Sequence, residues 1–135
     1  MFLLLNFYNN LKTKIESKEA LIGIVGLGYV GLPLALNFSS HGLKVLGIDL
    51  DQEKVDCIKN KKSYIHQISS NEIAKACNES GFEATTNYSS ISRCDAIILC
   101  VPTPLNKYRE PDLSYILNTV NSMRKFLRSG QIISL

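Results

Sequence analysis

The apolar positions along the chain follow two alternating periods. Leu21–Val25, Lys44–Ile48 and Asp95–Val101 are short, nearly continuous apolar runs, the pattern of strands buried on both faces of a parallel sheet. Between them the spacing turns helical. Leu32, Leu34, Ala35, Leu36 and Phe38 form one wide face, closed by His41-Gly42 as a C-cap. Residues 51–60 predict a helix capped by Asp51, with Val55 and Ile58 inward. Ser69 or Ser70 caps a further helix to about Ser80, with Ile73, Ala74 and Cys77 inward and Gly81 beyond its end. Phe82–Thr86 reads as a short strand. Asn87–Ser90 is a turn into a helical stretch that ends near Cys94. After a polar loop over 105–111, Asp112 caps a helix with Leu113, Ile116, Leu117, Val120 and Phe126 or Leu127 inward, and Gln131–Leu135 starts one more strand. Leu4, Leu5, Tyr8, Leu11 and Ile15 make residues 2–18 an amphipathic helix that packs on the domain or on a partner.

Strands that alternate with helices imply an α/β fold. The expected architecture is a Rossmann-type doubly wound parallel sheet in the order 3-2-1-4-5, preceded by the extra N-terminal amphipathic helix. The expected division is 1–18 for that helix and 19–135 for the dinucleotide-binding domain.

The first strand stops at Gly26, and Gly26, Gly28 and Gly31 stand in G-x-G-x-x-G spacing. The first glycine turns the chain sharply, the second admits a pyrophosphate close to the backbone, and the third lets helix and strand pack closely. The helix that follows directs its free N–H groups and positive dipole end at the phosphates. Pro33 sits in the first turn, where it costs no helical hydrogen bond. Asp49, at the tip of the second strand, is positioned to take the hydroxyls of an adenine ribose, and its charge favours NAD over NADP. The other reading of these features is a glycine turn in an α/β protein that binds nothing.

Val101-Pro102-Thr103-Pro104 leaves the fourth strand at the switch point of such a sheet, where ligands bind. Two prolines stiffen the loop and leave Thr103 as its one polar group, aimed at cofactor phosphates or the nicotinamide ribose. The loop serves equally well as a rigid strand exit.

Composition narrows the function without redirecting it. Of 135 residues, 45% are hydrophobic and 20% charged, with a net charge of +3, ordinary for a soluble domain. The Lys59/Lys61/Lys62 and Arg124/Lys125/Arg128 clusters sit at predicted helix ends, and no aromatic residues interleave with them, so nucleic acid is not an expected partner. The apolar start, Met1–Tyr8, has no basic flank or cleavage site and is too short to span a bilayer, so neither a signal peptide nor a membrane partner is expected. Cys57, Cys77, Cys94 and Cys100 form no C-x-x-C pair and read as reduced thiols of a cytoplasmic protein. His41 and His66 are isolated, and no metal site is expected.

Gly26-Leu-Gly-Tyr-Val-Gly-Leu-Pro-Leu-Ala35, Gly47-Ile-Asp-Leu-Asp51 and Cys100-Val-Pro-Thr-Pro104 together resemble the N-terminal domain of the UDP-glucose/GDP-mannose dehydrogenase family. The run Val101–Tyr115 and the leading helix resemble its UDP-N-acetylglucosamine (or galactosamine) 6-dehydrogenase branch. The resemblance covers essentially the whole chain. It implies oxidation of C6 of a UDP-sugar from alcohol to acid, with two hydride transfers to NAD, for surface polysaccharide precursors. It also implies that Tyr29 and Val30 hold the pyrophosphate through main-chain groups, that Lys54 joins Asp49 at the adenosine end, and that Val101, Pro102 and Thr103 approach the nicotinamide. Members of the family are much longer; their nucleophilic cysteine, central helix and sugar-binding domain come later. The chain is therefore expected to be a cofactor domain without catalytic residues of its own, from a protein that forms a homo-oligomer. A stand-alone nucleotide-sensing regulatory domain is the alternative, with a methyltransferase behind it.

Overall fold

The computed structural model describes residues 1–135. Five strands form one sheet in the order β3-β2-β1-β4-β5, every neighbour parallel: β1 (Leu21–Val25), β2 (Lys44–Ile48), β3 (Glu83–Thr85), β4 (Ala96–Leu99) and β5 (Ile132–Ser134). The helices are α1 (Phe2–Glu16), α2 (Gly31–Ser40), α3 (Gln52–Lys59), α4 (Ser70–Glu79) and α5 (Ser114–Met123). The doubly wound parallel sheet expected from the alternating periods is the fold.

The central strand supplies both faces because its side chains alternate. Ile22 and Ile24 join Leu32 and Ala35 of α2, Val55 and Ile58 of α3, and Ile73 and Ala76 of α4 in one apolar layer. Val25 joins Leu46, Ile48, Ile97, Leu99, Ile91 and Met123 in the other. Local signals fix the helix starts. Asp51 accepts the Glu53 amide at 3.0 Å, and Ser69 with Glu72 forms a reciprocal capping box. Gly42 and Gly81 lie just past α2 and α4 with φ of 82° and 67°, which L side chains rarely adopt.

Three details depart from the periodicity. In α4 the buried alanine is Ala76, while Ala74 is half-buried. In α5 the buried positions are Thr119 and Met123, and the stripe Leu113, Leu117, Val120 is exposed. Asp112 does accept an amide there, that of Ser114 at 2.9 Å, although the helix begins after Leu113. Periodicity identifies an apolar stripe; which stripe faces the sheet depends on the angle at which the helix crosses it.

The third departure is α1. It docks through Phe7, Leu11 and Lys14, all half-buried, and leaves Leu4, Leu5, Tyr8 and Ile15 exposed. An ion pair accompanies Phe7 and Leu11 on the docked face. Lys14 Nζ donates to Asp95 Oδ1 at 2.8 Å, beside Arg128 Nη2 at 2.9 Å. Phe7 lies so close to Gly130 that a Cβ there would come within 2.8 Å of the ring. No helix is long and apolar enough to cross a membrane.

Candidate cofactor site

The three glycines of the turn have different reasons to be glycine. Gly26 has φ of 95°, and a Cβ on it would lie 2.7 Å from the Cys100 carbonyl oxygen. On Gly31 a Cβ would overlap the Gly26 carbonyl. Packing therefore requires both. Around Gly28 a Cβ would meet nothing within 4 Å, and no positive φ is needed there. Nothing inside the protein asks for glycine at 28; its bare backbone faces outward.

That outward side carries unpaired donors. The amides of Gly28, Tyr29, Val30 and Gly31 donate to no acceptor in the chain, while Leu32 is the first to bond back, to the Gly28 carbonyl at 3.1 Å. The Tyr29 and Val30 side chains are exposed and leave the backbone accessible. Four free N–H groups in and just before the first turn of α2, at its positive end, suit a diphosphate, and the missing Cβ lets one approach.

Asp49 closes one flank. Its Oδ2 accepts the Leu27 amide at 2.7 Å and Lys54 Nζ at 3.3 Å, and its Oδ1 accepts the Asp51 amide at 2.9 Å. A carboxylate offers about four acceptor positions, so one on Oδ1 is open with Lys54 in place. Lys54 also stands 3.9 Å from Asp51 Oδ2, so swinging towards Asp51 would free a second position on Asp49.

The other flank is the exit of β4. Cys100 donates to Val25 at 2.7 Å, which sets the Cys100-Val101 backbone against Gly26. Val101 is half-buried there, and Pro102 and Thr103 are exposed. The structure thus gathers Gly26, Gly28, Tyr29, Val30, Gly31, Asp49, Lys54 and Val101 at the carboxyl edge of the sheet. Pro102 and Thr103 stand at the outer end of the same loop.

Two further participants are not glycines: Leu27, between the first two glycines of the fingerprint, and Tyr64, outside it. The Leu27 side chain is fully buried against Gly47, where a Cβ would come 2.7 Å from Leu27 Cδ1. The Tyr64 hydroxyl donates to the Leu27 carbonyl at 2.7 Å. No sequence spacing links Tyr64 to Leu27; the segment between α3 and α4 brings them together. Burial pushes the Cys94 thiol up to about 11 and raises those of Cys77 and Cys100, which keeps them protonated near neutral pH.

Residues 20–135 match the family described as "UDP-glucose/GDP-mannose dehydrogenase family, NAD binding domain". Similar curated proteins include the UDP-N-acetyl-D-mannosamine dehydrogenase of Methanococcus vannielii, 35% identical over 123 residues, which cover 87% of this chain and 28% of that protein. Protein CapL of Staphylococcus aureus is 32% identical over 112 residues, covering 83% and 25%. Among solved structures, the UDP-N-acetyl-mannosamine dehydrogenase Cap5O of S. aureus superposes with a TM-score of 0.77 at 30% identity, covering 85% of this chain and 28% of that one. A ternary complex of GDP-mannose dehydrogenase from Pseudomonas aeruginosa gives 0.75 at 30%, covering 80% and 25%. The chain spans about a quarter of the length of these relatives. A dehydrogenase family, a sheet wound in the dinucleotide-binding order and a row of four free amides agree, so the chain belongs to the UDP-glucose/GDP-mannose dehydrogenase family and carries its NAD-binding domain.

Proposed function

We propose that this chain supplies the cofactor half of a nucleotide-sugar 6-dehydrogenase that converts a UDP-N-acetylhexosamine to the corresponding uronic acid. The observation that carries the reading is the row of four unpartnered amides beside the open side of Gly28. The names of the relatives favour UDP-N-acetylmannosamine among the possible substrates. Residues 19–135 form the cofactor domain in this reading, and residues 1–18 are a docked appendage.

In this assignment the Gly28–Gly31 amides hold the pyrophosphate. The Asp49 carboxylate takes one ribose hydroxyl through Oδ1, and Lys54 moves between Asp49 and Asp51 as a second hydroxyl arrives. Asp49 also repels a 2′-phosphate, which selects NAD. Val101, Pro102 and Thr103 border the nicotinamide side. When bound, the nicotinamide accepts the hydride; no side chain of this chain is assigned a step in the oxidation. The complete enzyme is a cytoplasmic homo-oligomer in this reading, since its cofactor is intracellular and family members associate.

Titration calorimetry of the 135-residue chain with NADH and NADPH tests the assignment. The expected result is saturable NADH binding, weaker binding of NADPH, and loss of that preference in Asp49→Ala. No heat with NADH up to millimolar concentration, or equal affinity of Asp49→Ala and the unaltered chain, would overturn it.

A further inference from the structure

Leu27 is held at three points. Asp49 takes its amide, Gly47 receives its side chain, and Tyr64 holds its carbonyl. That carbonyl belongs to the Leu27–Gly28 peptide. A peptide group is planar, and in its trans form the C=O and N–H point in opposite directions. The chain has no cis peptide bond. Fixing the Leu27 oxygen on Tyr64 therefore fixes the direction of the Gly28 N–H, the first of the four unpartnered amides.

We propose that Tyr64 is a positioning residue of the cofactor site: by holding the carbonyl of the Leu27–Gly28 peptide, it aims the Gly28 N–H at the bound phosphate. The proposal rests on the NAD reading above and adds a residue that the glycine turn does not contain. Without the hydroxyl, the Leu27 oxygen loses its partner and the peptide plane is free to rotate between Asp49 and the start of α2. Burial first, and the Asp49 charge after it, push the Tyr64 phenol above its usual range, so the group is a donor and not an anion. The Tyr64 ring is half-buried against the layer beneath α2, α3 and α4, and Tyr64→Phe keeps that ring.

The test is an NMR titration of the isotope-labelled 135-residue chain and its Tyr64→Phe variant with NADH, ADP and adenosine. Aiming an amide at phosphate predicts that the variant binds NADH and ADP more weakly by the same factor, roughly fivefold. Adenosine, which has no phosphate, binds both proteins alike. The ligand-free Leu27 carbonyl and Gly28 amide resonances move in the variant, and the large ADP-induced shift of Gly28 shrinks. A residue that merely stabilised the fold would change none of these ratios. Equal binding of ADP by both proteins overturns the proposal alone, as does an equal loss for adenosine and ADP. An unaltered chain that takes up neither NADH nor ADP overturns the NAD reading and this proposal together.

Discussion

Each end of the sheet carries an aspartate with three donors on it, yet the two ends differ in what surrounds that acid. At the amino end, Asp95 accepts Lys14, Arg128 and the Leu21 amide. The cavity beside it measures about 70 Å³ and is lined by Phe7, Lys14 and Arg128, too small for a nucleotide. At the carboxyl end, Asp49 also has three donors, but four free amides and the bare side of Gly28 lie next to it. A buried, paired carboxylate is thus no mark of a site by itself. The mark is polar backbone that the protein leaves unpaired where a side chain is missing.

The largest expected effect lies within the glycine turn. Gly31→Ala drives a Cβ into the Gly26 carbonyl, and backbone cannot step aside as a flexible side chain can. Denaturant titration should show a loss of about 3 kcal/mol or no folded protein. Stability within about 0.5 kcal/mol of the unaltered chain would mean that packing does not dictate this position.

Next comes the amino end. Asp95→Ala removes three charge-assisted hydrogen bonds, but Lys14 and Arg128 are about 40% exposed and can turn to water. The loss should be about 2 kcal/mol, with NADH affinity unchanged. A fall in NADH affinity would show that the two ends are coupled. The pH dependence has a definite sign. Burial raises the Asp95 carboxyl, and the Lys14, Leu21 and Arg128 donors outweigh it and hold the carboxyl below its ordinary range. A depressed folded value stabilises the fold above the unfolded value of about 4, and that contribution disappears as pH falls further. Below that pH the gap in stability between the unaltered chain and Asp95→Ala should close.

The carboxyl-end acid should behave in the opposite way. Asp49→Asn keeps an acceptor for the Leu27 amide and loses the attraction for Lys54. NADH binding should weaken about tenfold, equivalent to about 1.4 kcal/mol, with a smaller loss of stability than Asp95→Ala. The reverse ranking would mean that Asp49 is the structural acid. The smallest effect belongs to Leu117→Ala on the outer side of α5, where 60% exposure leaves little to lose, about 0.5 kcal/mol at most. A loss above 2 kcal/mol would show that this stripe is covered in solution.

The carboxyl end was legible in the sequence because its logic is local. A strand, three glycines and a helix occupy consecutive residues, and Asp49 follows at the end of the next strand. Parallel order followed from the alternation of elements. What sequence did not disclose depends on contacts between distant segments. Lys14 meets Asp95 across the chain, and of the predicted apolar stripe of α1 only Leu11 lies on the docked face. Thr119 and Met123, not the more apolar stripe beside them, are the buried positions of α5, and Met123 packs with Ile91, Ile97 and Leu99. Tyr64 reaches Leu27 only because the segment between α3 and α4 brings its hydroxyl to that carbonyl.

The central claim is that Gly28 is glycine for a ligand, whereas Gly26 and Gly31 are glycine for the fold. Gly28→Ala tests it most directly, with NADH affinity and denaturation midpoint measured on the same preparation. The account predicts an unchanged midpoint and at least about tenfold weaker NADH binding, because a Cβ there meets open space in the protein and phosphate in the complex. Unchanged affinity, or destabilisation as large as that of Gly31→Ala, would contradict it.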